Sequence, residues 1–463
     1  MNKELKKNFI FAFVAQGVSL LVSISTNLIL PKVMSPTNFS YWQLFIFYSL
    51  YIPSLALGLN DGVYLRYGGA LKEKLNYDSI KSQYIFGIYY QFILAVVVGG
   101  ILIFFSHTTK RRFVIFLVLI YYIVYTCHNF LGYIFQAVNE TNIYSKSIII
   151  HRIFFLLSQL VLIWILCKNV FFYIPFYILA IAIALMYLLL KIYPFFKDAN
   201  FDFNLGRKEA WISIKVGISL MIANVCSTLV LGVGRQIIDV HWGLLTFGKI
   251  SFSLTLINFA LTFISQIGLV LFPALRRLNR NNLQNYYKNL TLGLFYILPL
   301  MYILYLPLQF ILRYWLPDYS KSIDYLSIIL PICFFDGKMN LIGNTFFKVL
   351  SKQVLLLKIN VLAIIFATIW GLIGAYVFNN VTFVIVGMVA TIMFRSIISD
   401  LILSKDIHVK VINLELMDIL LAIIFMLIAN NFAWYIAMIV ILVLYILRTL
   451  FIYFYENKTR GIL

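Results

Sequence analysis

Long apolar runs, each interrupted by a few polar residues, follow one another along nearly the whole chain. A crossing of the bilayer hydrocarbon needs about 20 mostly apolar residues. Fourteen runs meet that length, near residues 9–30, 40–60, 83–105, 113–135, 147–167, 171–192, 211–232, 247–272, 290–312, 324–346, 354–378, 381–403, 412–430 and 432–455. They are too long for barrel strands, and an open sheet edge in lipid leaves backbone groups unpaired. The pattern predicts an all-α polytopic membrane protein of about 14 transmembrane helices, with short loops and no soluble catalytic domain.

A repeat organises these spans. GVSLLV at 17–22 returns as GISLMI at 217–222, and each copy is followed by small and polar residues, SISTN and ANVCST. Six predicted spans separate the copies, so both run in the same direction. The spacing predicts two six-helix bundles, 1–205 and 206–404, related by a pseudo-twofold axis along the membrane normal, with a pathway between them. Residues 405–463 remain as an extra helix pair.

Polar residues inside the runs form stripes. In the first span Gln16, Ser19, Ser23, Thr26 and Asn27 recur every three or four residues, and in the eighth Ser251, Thr255, Asn258, Thr262, Ser265 and Gln266 do the same. Asn224 follows the second repeat copy. Such stripes either bond neighbouring helices or line a hydrophilic cavity, and both readings stand at this point.

Composition agrees with the membrane assignment: 62% of residues are hydrophobic, 12% are charged and mean hydropathy is +0.93. A formal charge of +20 would suggest nucleic acid as a partner of a soluble protein, but in a polytopic chain Lys and Arg gather in cytoplasmic loops. With the N-terminus inside, 26 of the 37 Lys and Arg fall on the inner side, nine on the outer side and two, Lys338 and Arg395, within spans. The segment 191–215 and the cluster Arg276, Arg277, Arg280 and Lys288 dominate the inner count; Lys110, Arg111 and Arg112 are the outer exception. The first run follows Lys3, Lys6 and Lys7 without a small-residue cleavage site and reads as a retained helix. Cys127, Cys167, Cys226 and Cys333 lie in apolar runs without CxxC spacing, indicating neither a metal site nor a disulfide framework.

Ionisable residues in spans are costly, about 2.5–3.5 kcal/mol each at the bilayer centre on insertion scales, so each needs a partner or a wet path. In SLALGLNDGVYLRYGG at 54–69, Ser54, Gly58, Gly62 and Arg66 recur every four residues as a small-residue seam for another helix. Asp61 and Arg66 are five apart, about 140° around a helix, and therefore look for partners elsewhere. In PICFFDGKMN, Pro331 and Gly337 bracket a point where the tenth helix is expected to break around Asp336 and Lys338. His128, His151 with Arg152, Lys215, Arg235 with Asp239, Arg395 and Asp400 complete the set. Cations outnumber carboxylates in this reading, which suits an anionic, phosphate-bearing cargo. Arg66, Lys215, Arg235, Lys338 and Arg395 are the candidate substrate contacts; Asp61, Asp239 and Asp336 are candidate ion-coupling or structural partners. Gln16, Ser19, Ser23, Asn27, Asn224, Thr255, Asn258 and Thr262 are the candidate cavity lining. No HExxH, P-loop or Gly-x-Ser-x-Gly motif is present, and no cofactor or metal is expected.

Three passages resemble the polysaccharide-export flippases of the superfamily that also holds multidrug and toxin extruders. They are GVSLLVSISTNLILPKVMSPTNFSYWQLF, LGLNDGVYLRYGGAL, and VGISLMIANVCSTLVLGVGRQII followed by LLTFGKISFSLTL. The resemblance extends through about residue 403. It implies two six-helix bundles around a cavity open alternately to each side, carrying an undecaprenyl-pyrophosphate-linked oligosaccharide across the cytoplasmic membrane, with both termini cytoplasmic. It also implies a monomeric transporter rather than an enzyme, with the bilayer as solvent, a glycan polymerase or ligase of the same pathway as partner, and no nucleic acid. The helices after 405 fit the extra pair seen in some lipid-linked-sugar flippases. Two departures are visible: the first helix carries neither the carboxylate frequent in ion-driven drug extruders nor the Arg-Asp pair frequent in peptidoglycan-precursor flippases. A drug or cation extruder, which would need an anionic cavity, and a membrane glycan polymerase or ligase, which would need a long outer loop, are the alternatives.

Overall fold

The computed structural model describes residues 3–460 apart from 107, 276–279, 351 and 408–411. Arg276 and Arg277 of the expected basic cluster therefore lie outside the described residues, as do the side chains of Gln266 and Arg280. Among the described residues every regular element is helical. Ten helices are long and apolar enough to cross a membrane, or twelve when each of two bent pairs counts as one span. One of the ten, Phe203–Ser265, has 63 residues; at 1.5 Å per residue it is roughly 95 Å long, enough for two crossings. Its helical course is interrupted at Gly243, whose φ of 79° and ψ of 178° leave the helical region. Counting that helix twice and adding the 17-residue Ile412–Ile428 puts a helix under each of the fourteen apolar runs.

The chain divides into two compact units, Met1–Thr228 and Leu229–Leu463. In the first, the spans are Ile10–Val33, the bent pair Pro36–Leu55 and Leu59–Tyr67, Tyr77–Phe104, Thr109–Ala137, Thr141–Trp164, Val170–Phe196 and the start of the seventh. Side-chain caps set several beginnings: Ser35, Asn76, Thr108 and Asn169 accept from the backbone N–H of Asn38, Ser79, Arg111 and Phe171. The first span packs on the fifth, and the sixth on the fourth and fifth. An aromatic core fastens the group, with Trp42 stacked on Phe155 at 5.7 Å and Tyr177 edge-on to both.

The boundary between the units falls inside the seventh span and not in the linker near 205, because the first turns of that helix pack against the second and third spans through the contacts described below. In the second unit the tenth span is a pair, Pro317–Ile329 and Pro331–Val349, bent by 45°. The bend sits at Leu330 and Pro331, where proline removes a helical donor. This corrects the expected break around Asp336 and Lys338. Those residues lie in an intact helical segment, Pro331–Lys338, and a π-helical turn, Met339–Gly343, follows them. The tenth span packs on the twelfth, Val381–Ile407, and the ninth on the fourteenth, which begins at Trp434.

Candidate functional site

The second span breaks at Leu57 and Gly58, both at positive φ, 47° and 81°, and restarts at Leu59 with a 53° change of direction. This bend lays Gly58 and Gly62 directly on the seventh span. A Cβ on Gly62 would collide with the backbone of Ser213, and one on Gly217 with the backbone of Gly58 and Gly62. The four-residue seam read from the sequence is thus a helix contact made with almost no side chain between the backbones. Arg66 closes it. Its Nη1 donates to the Glu209 carbonyl at 2.9 Å and to Ser213 Oγ at 2.8 Å, and its Nη2 pairs with Glu209 Oε2 at 2.5 Å. Gln83 of the third span also donates to Ser213 Oγ, at 2.6 Å. Asp61 is half-buried among tyrosines that include Tyr125 and Tyr133, and among the described residues it forms no ion pair.

In the second unit Lys338 is fully buried, and its Nζ lies between Asp400 Oδ2, at 2.5 Å, and Glu415. Arg395, 2% exposed, pairs with Asp336 at 2.8 Å. Asn340 Nδ2 donates to the same Asp336 carboxylate at 3.3 Å. A further buried pair joins Arg448 to Asp418, and Arg448 Nη1 donates to the Phe295 carbonyl at 2.6 Å. The Phe295 ring lies 5.0 Å from the Lys338 ammonium and 5.6 Å from the Arg448 guanidinium. These contacts tie the tenth, twelfth, thirteenth and fourteenth helices, together with the ninth, into one ladder.

Within that ladder three cations face four carboxylates, so the cation excess inferred from the sequence does not hold there. Sequence reasoning missed Glu209, Glu415, Asp418 and Arg448. The signal was present: Glu415 and Asp418 are three apart at the head of an apolar run, on one helix face, with Arg448 inside the next run.

The remaining candidates separate by environment. Lys215 is exposed, its ammonium 5.8 Å from the Trp211 ring centroid. Arg235 and Asp239 are buried one turn apart on one helix face. In the first-span stripe, Thr26 donates to Gln159 Oε1 at 2.9 Å and Asn27 Oδ1 accepts from Gln43 at 3.4 Å, so its C-terminal end bonds to neighbouring helices, whereas Gln16 is exposed and Ser19 and Ser23 are half-buried. In the eighth span Thr255 and Thr262 return their hydroxyls to carbonyls one turn back, Ser251 and Asn258, and the Asn258 side chain is exposed. Asn224 is likewise exposed.

No protein-family model and no curated protein matches the sequence. Among solved structures, the lipid II flippase MurJ in an inward closed conformation matches with a TM-score of 0.67 and 12% identity, over 98% of this chain and 99% of that one. An inward-facing multidrug resistance MATE-family transporter of the MOP superfamily matches with a TM-score of 0.60 and 13% identity, over 85% of this chain and 98% of that one. The chain has the fold of these transporters. Both neighbours are transporters and neither is an enzyme, and at such identities the likeness concerns fold alone.

Proposed function

We propose that this protein is a flippase that moves an undecaprenyl-pyrophosphate-linked oligosaccharide, such as an O-antigen, capsule or exopolysaccharide repeat unit, from the inner to the outer leaflet of the cytoplasmic membrane. The observation that carries the reading is coverage. The lipid II flippase accounts for 98% of the chain, the MATE transporter for 85%. The helix pair after residue 405 is held to the tenth and twelfth helices by Lys338, Asp400 and Glu415. Three buried charges are hard to reconcile with a dispensable appendage, since each must be desolvated and matched.

In this reading the repeat halves 1–205 and 206–404 rock against each other, except that the first turns of the seventh span move with the first half, to which Glu209, Ser213 and Gly217 hold them. The polyprenyl chain stays in lipid while the pyrophosphate and sugars pass along the polar faces of the first and eighth spans, where Gln16, Asn258 and Thr262 lie. Of the five cations proposed for the pyrophosphate, Lys215 is the one exposed and without a carboxylate partner, and it takes that role here. Lys338 is reassigned to holding the C-terminal helices, Arg395 to joining the twelfth span to Asp336 of the tenth, and Arg66 to the seam with Glu209. Both termini are placed in the cytoplasm, the chain acts as a monomer, and a polymerase or ligase consumes the delivered unit.

Deletion of the gene in its host, followed by extraction of lipid-linked intermediates, tests the proposal. Loss of surface glycan with accumulation of an intact lipid-linked repeat unit is the expected result. Unchanged glycan together with new sensitivity to cationic drugs would instead establish the extruder alternative.

A further inference from the structure

A cavity of about 730 Å³ opens in the first unit between the break of the second span, the third span and the start of the seventh. Its walls include Leu57, Phe86, Tyr90 and Trp211, together with Arg207 and Lys208. The third and seventh spans both begin after an even number of crossings, so their first turns share a membrane boundary. From Tyr77, where the third span starts, the helix rise puts Phe86 and Tyr90 about 13 and 20 Å along the axis. The Phe203 ring lies edge-on to Phe86 at 5.3 Å and Gly206 packs on Ser82 and Phe86, so Arg207 and Lys208 stand level with this aromatic wall.

Both cations are exposed, and neither forms an ion pair among the described residues. The nearest acids in sequence are engaged elsewhere: Glu209 holds Arg66, and Asp202 accepts from the backbone N–H of Asn204 and Leu205 at 2.8 and 3.2 Å. Lys81 of the third span donates to the carbonyls of Phe196 and Ala199 at 2.9 and 2.8 Å, which adds a further positive charge on this boundary. On the wall, the Tyr90 hydroxyl is buried without a hydrogen-bond partner.

We infer that this cavity is a docking site for a polyprenyl pyrophosphate, with the pyrophosphate on Arg207 and Lys208 and the first isoprene units against Trp211, Phe86 and Leu57. The inference rests on the flippase reading and adds to it a loading position at the start of the seventh span. Charge decides between possible lipids: two adjacent cations match the two negative charges of a pyrophosphate diester, whereas a phospholipid diester such as phosphatidylglycerol brings one. Lys215, one turn beyond Trp211 on the same helix, then offers the next cation along the path.

The test is binding of an undecaprenyl-pyrophosphate-linked sugar to the purified full-length protein in nanodiscs, compared with Arg207→Gln/Lys208→Gln and with Trp211→Ala. These side chains are exposed, so the variants should fold, and unchanged gel-filtration and melting profiles check that. The expected result is at least tenfold weaker binding in the double variant, a severalfold loss in Trp211→Ala, and no displacement by a tenfold excess of phosphatidylglycerol. Wild-type affinity in both variants, or equal displacement by phosphatidylglycerol, overturns the site while leaving the flippase reading intact, since the protein still binds the lipid. Absence of any binding to the wild-type protein overturns the flippase reading and the site with it.

Discussion

Lys338 and Lys208 are the same side chain at the two extremes of what a helix in this protein can do with an ammonium. Lys338 is fully buried between Asp400 and Glu415. Lys208 is exposed in the wall of an apolar cavity, and among the described residues no carboxylate pairs with it. The difference lies in the surroundings, not in hydrophobicity, because both lie in helices whose runs are apolar enough to span. A buried cation in a membrane protein marks a binding site only after its carboxylates have been counted. In the ladder that count leaves no cation over; at the start of the seventh span it does.

The comparison is broken most severely by removing Lys338. Lys338→Met leaves Asp400 and Glu415 facing each other in a dry interior and should cost about 3–5 kcal/mol of stability, read as a large drop in melting temperature. Lys338→Met/Asp400→Asn/Glu415→Gln should recover most of it. A single variant as stable as the wild type would mean that the ladder is not a clamp.

Gly62→Leu comes next. A side chain there meets the Ser213 backbone, so the second and seventh spans must separate, at about 1–3 kcal/mol by the usual cost of overpacking, together with loss of transport. Gly17→Leu, at the first repeat copy, where a Cβ would meet nothing within 4 Å, should be close to neutral in stability. Arg66→Gln should be milder, about 1–2 kcal/mol, because the partly exposed pair with Glu209 is replaced in part by water. Combined with Glu209→Gln it should fall short of the sum of the single effects, the mark of a direct pair in a double-mutant cycle. Smallest in stability is Lys215→Gln, within about 0.5 kcal/mol as expected for an exposed position, yet it should slow transport severalfold; an unchanged rate would remove Lys215 from the substrate path.

Much of the architecture was legible in the sequence. Length and hydropathy set the class, and each of the fourteen apolar runs has a helix under it. The four-residue spacing of Gly58, Gly62 and Arg66 announced a close helix contact. The partner was not legible, because Glu209 and Ser213 lie some 150 residues away in sequence and nothing local marks them. The two similar stretches at 17–22 and 217–222 sit in different environments: Gly17 has open space around it, whereas Gly217 is pressed against Gly58.

The candidate site was less legible for a related reason. Lys338, Arg395 and Asp336 stood out as ions within spans, but their meaning depends on which helix packs beside them. The ladder is completed by Glu415, Asp418 and Arg448 from the helix pair outside the repeat. The tenth helix bends at Pro331, one of the two residues bracketing the expected break, and not around Asp336 and Lys338, because a buried glycine can continue a helix, while proline cannot supply the missing donor.

The most direct measurement is transbilayer movement of a polyprenyl-pyrophosphate-linked oligosaccharide in liposomes containing only this protein. Lipid-linked sugar in the inner leaflet should become accessible to an external lectin at a rate proportional to protein, and Arg207→Gln/Lys208→Gln should lower that rate by tenfold or more. Liposomes that leave the lipid in place but export a cationic dye would contradict the account.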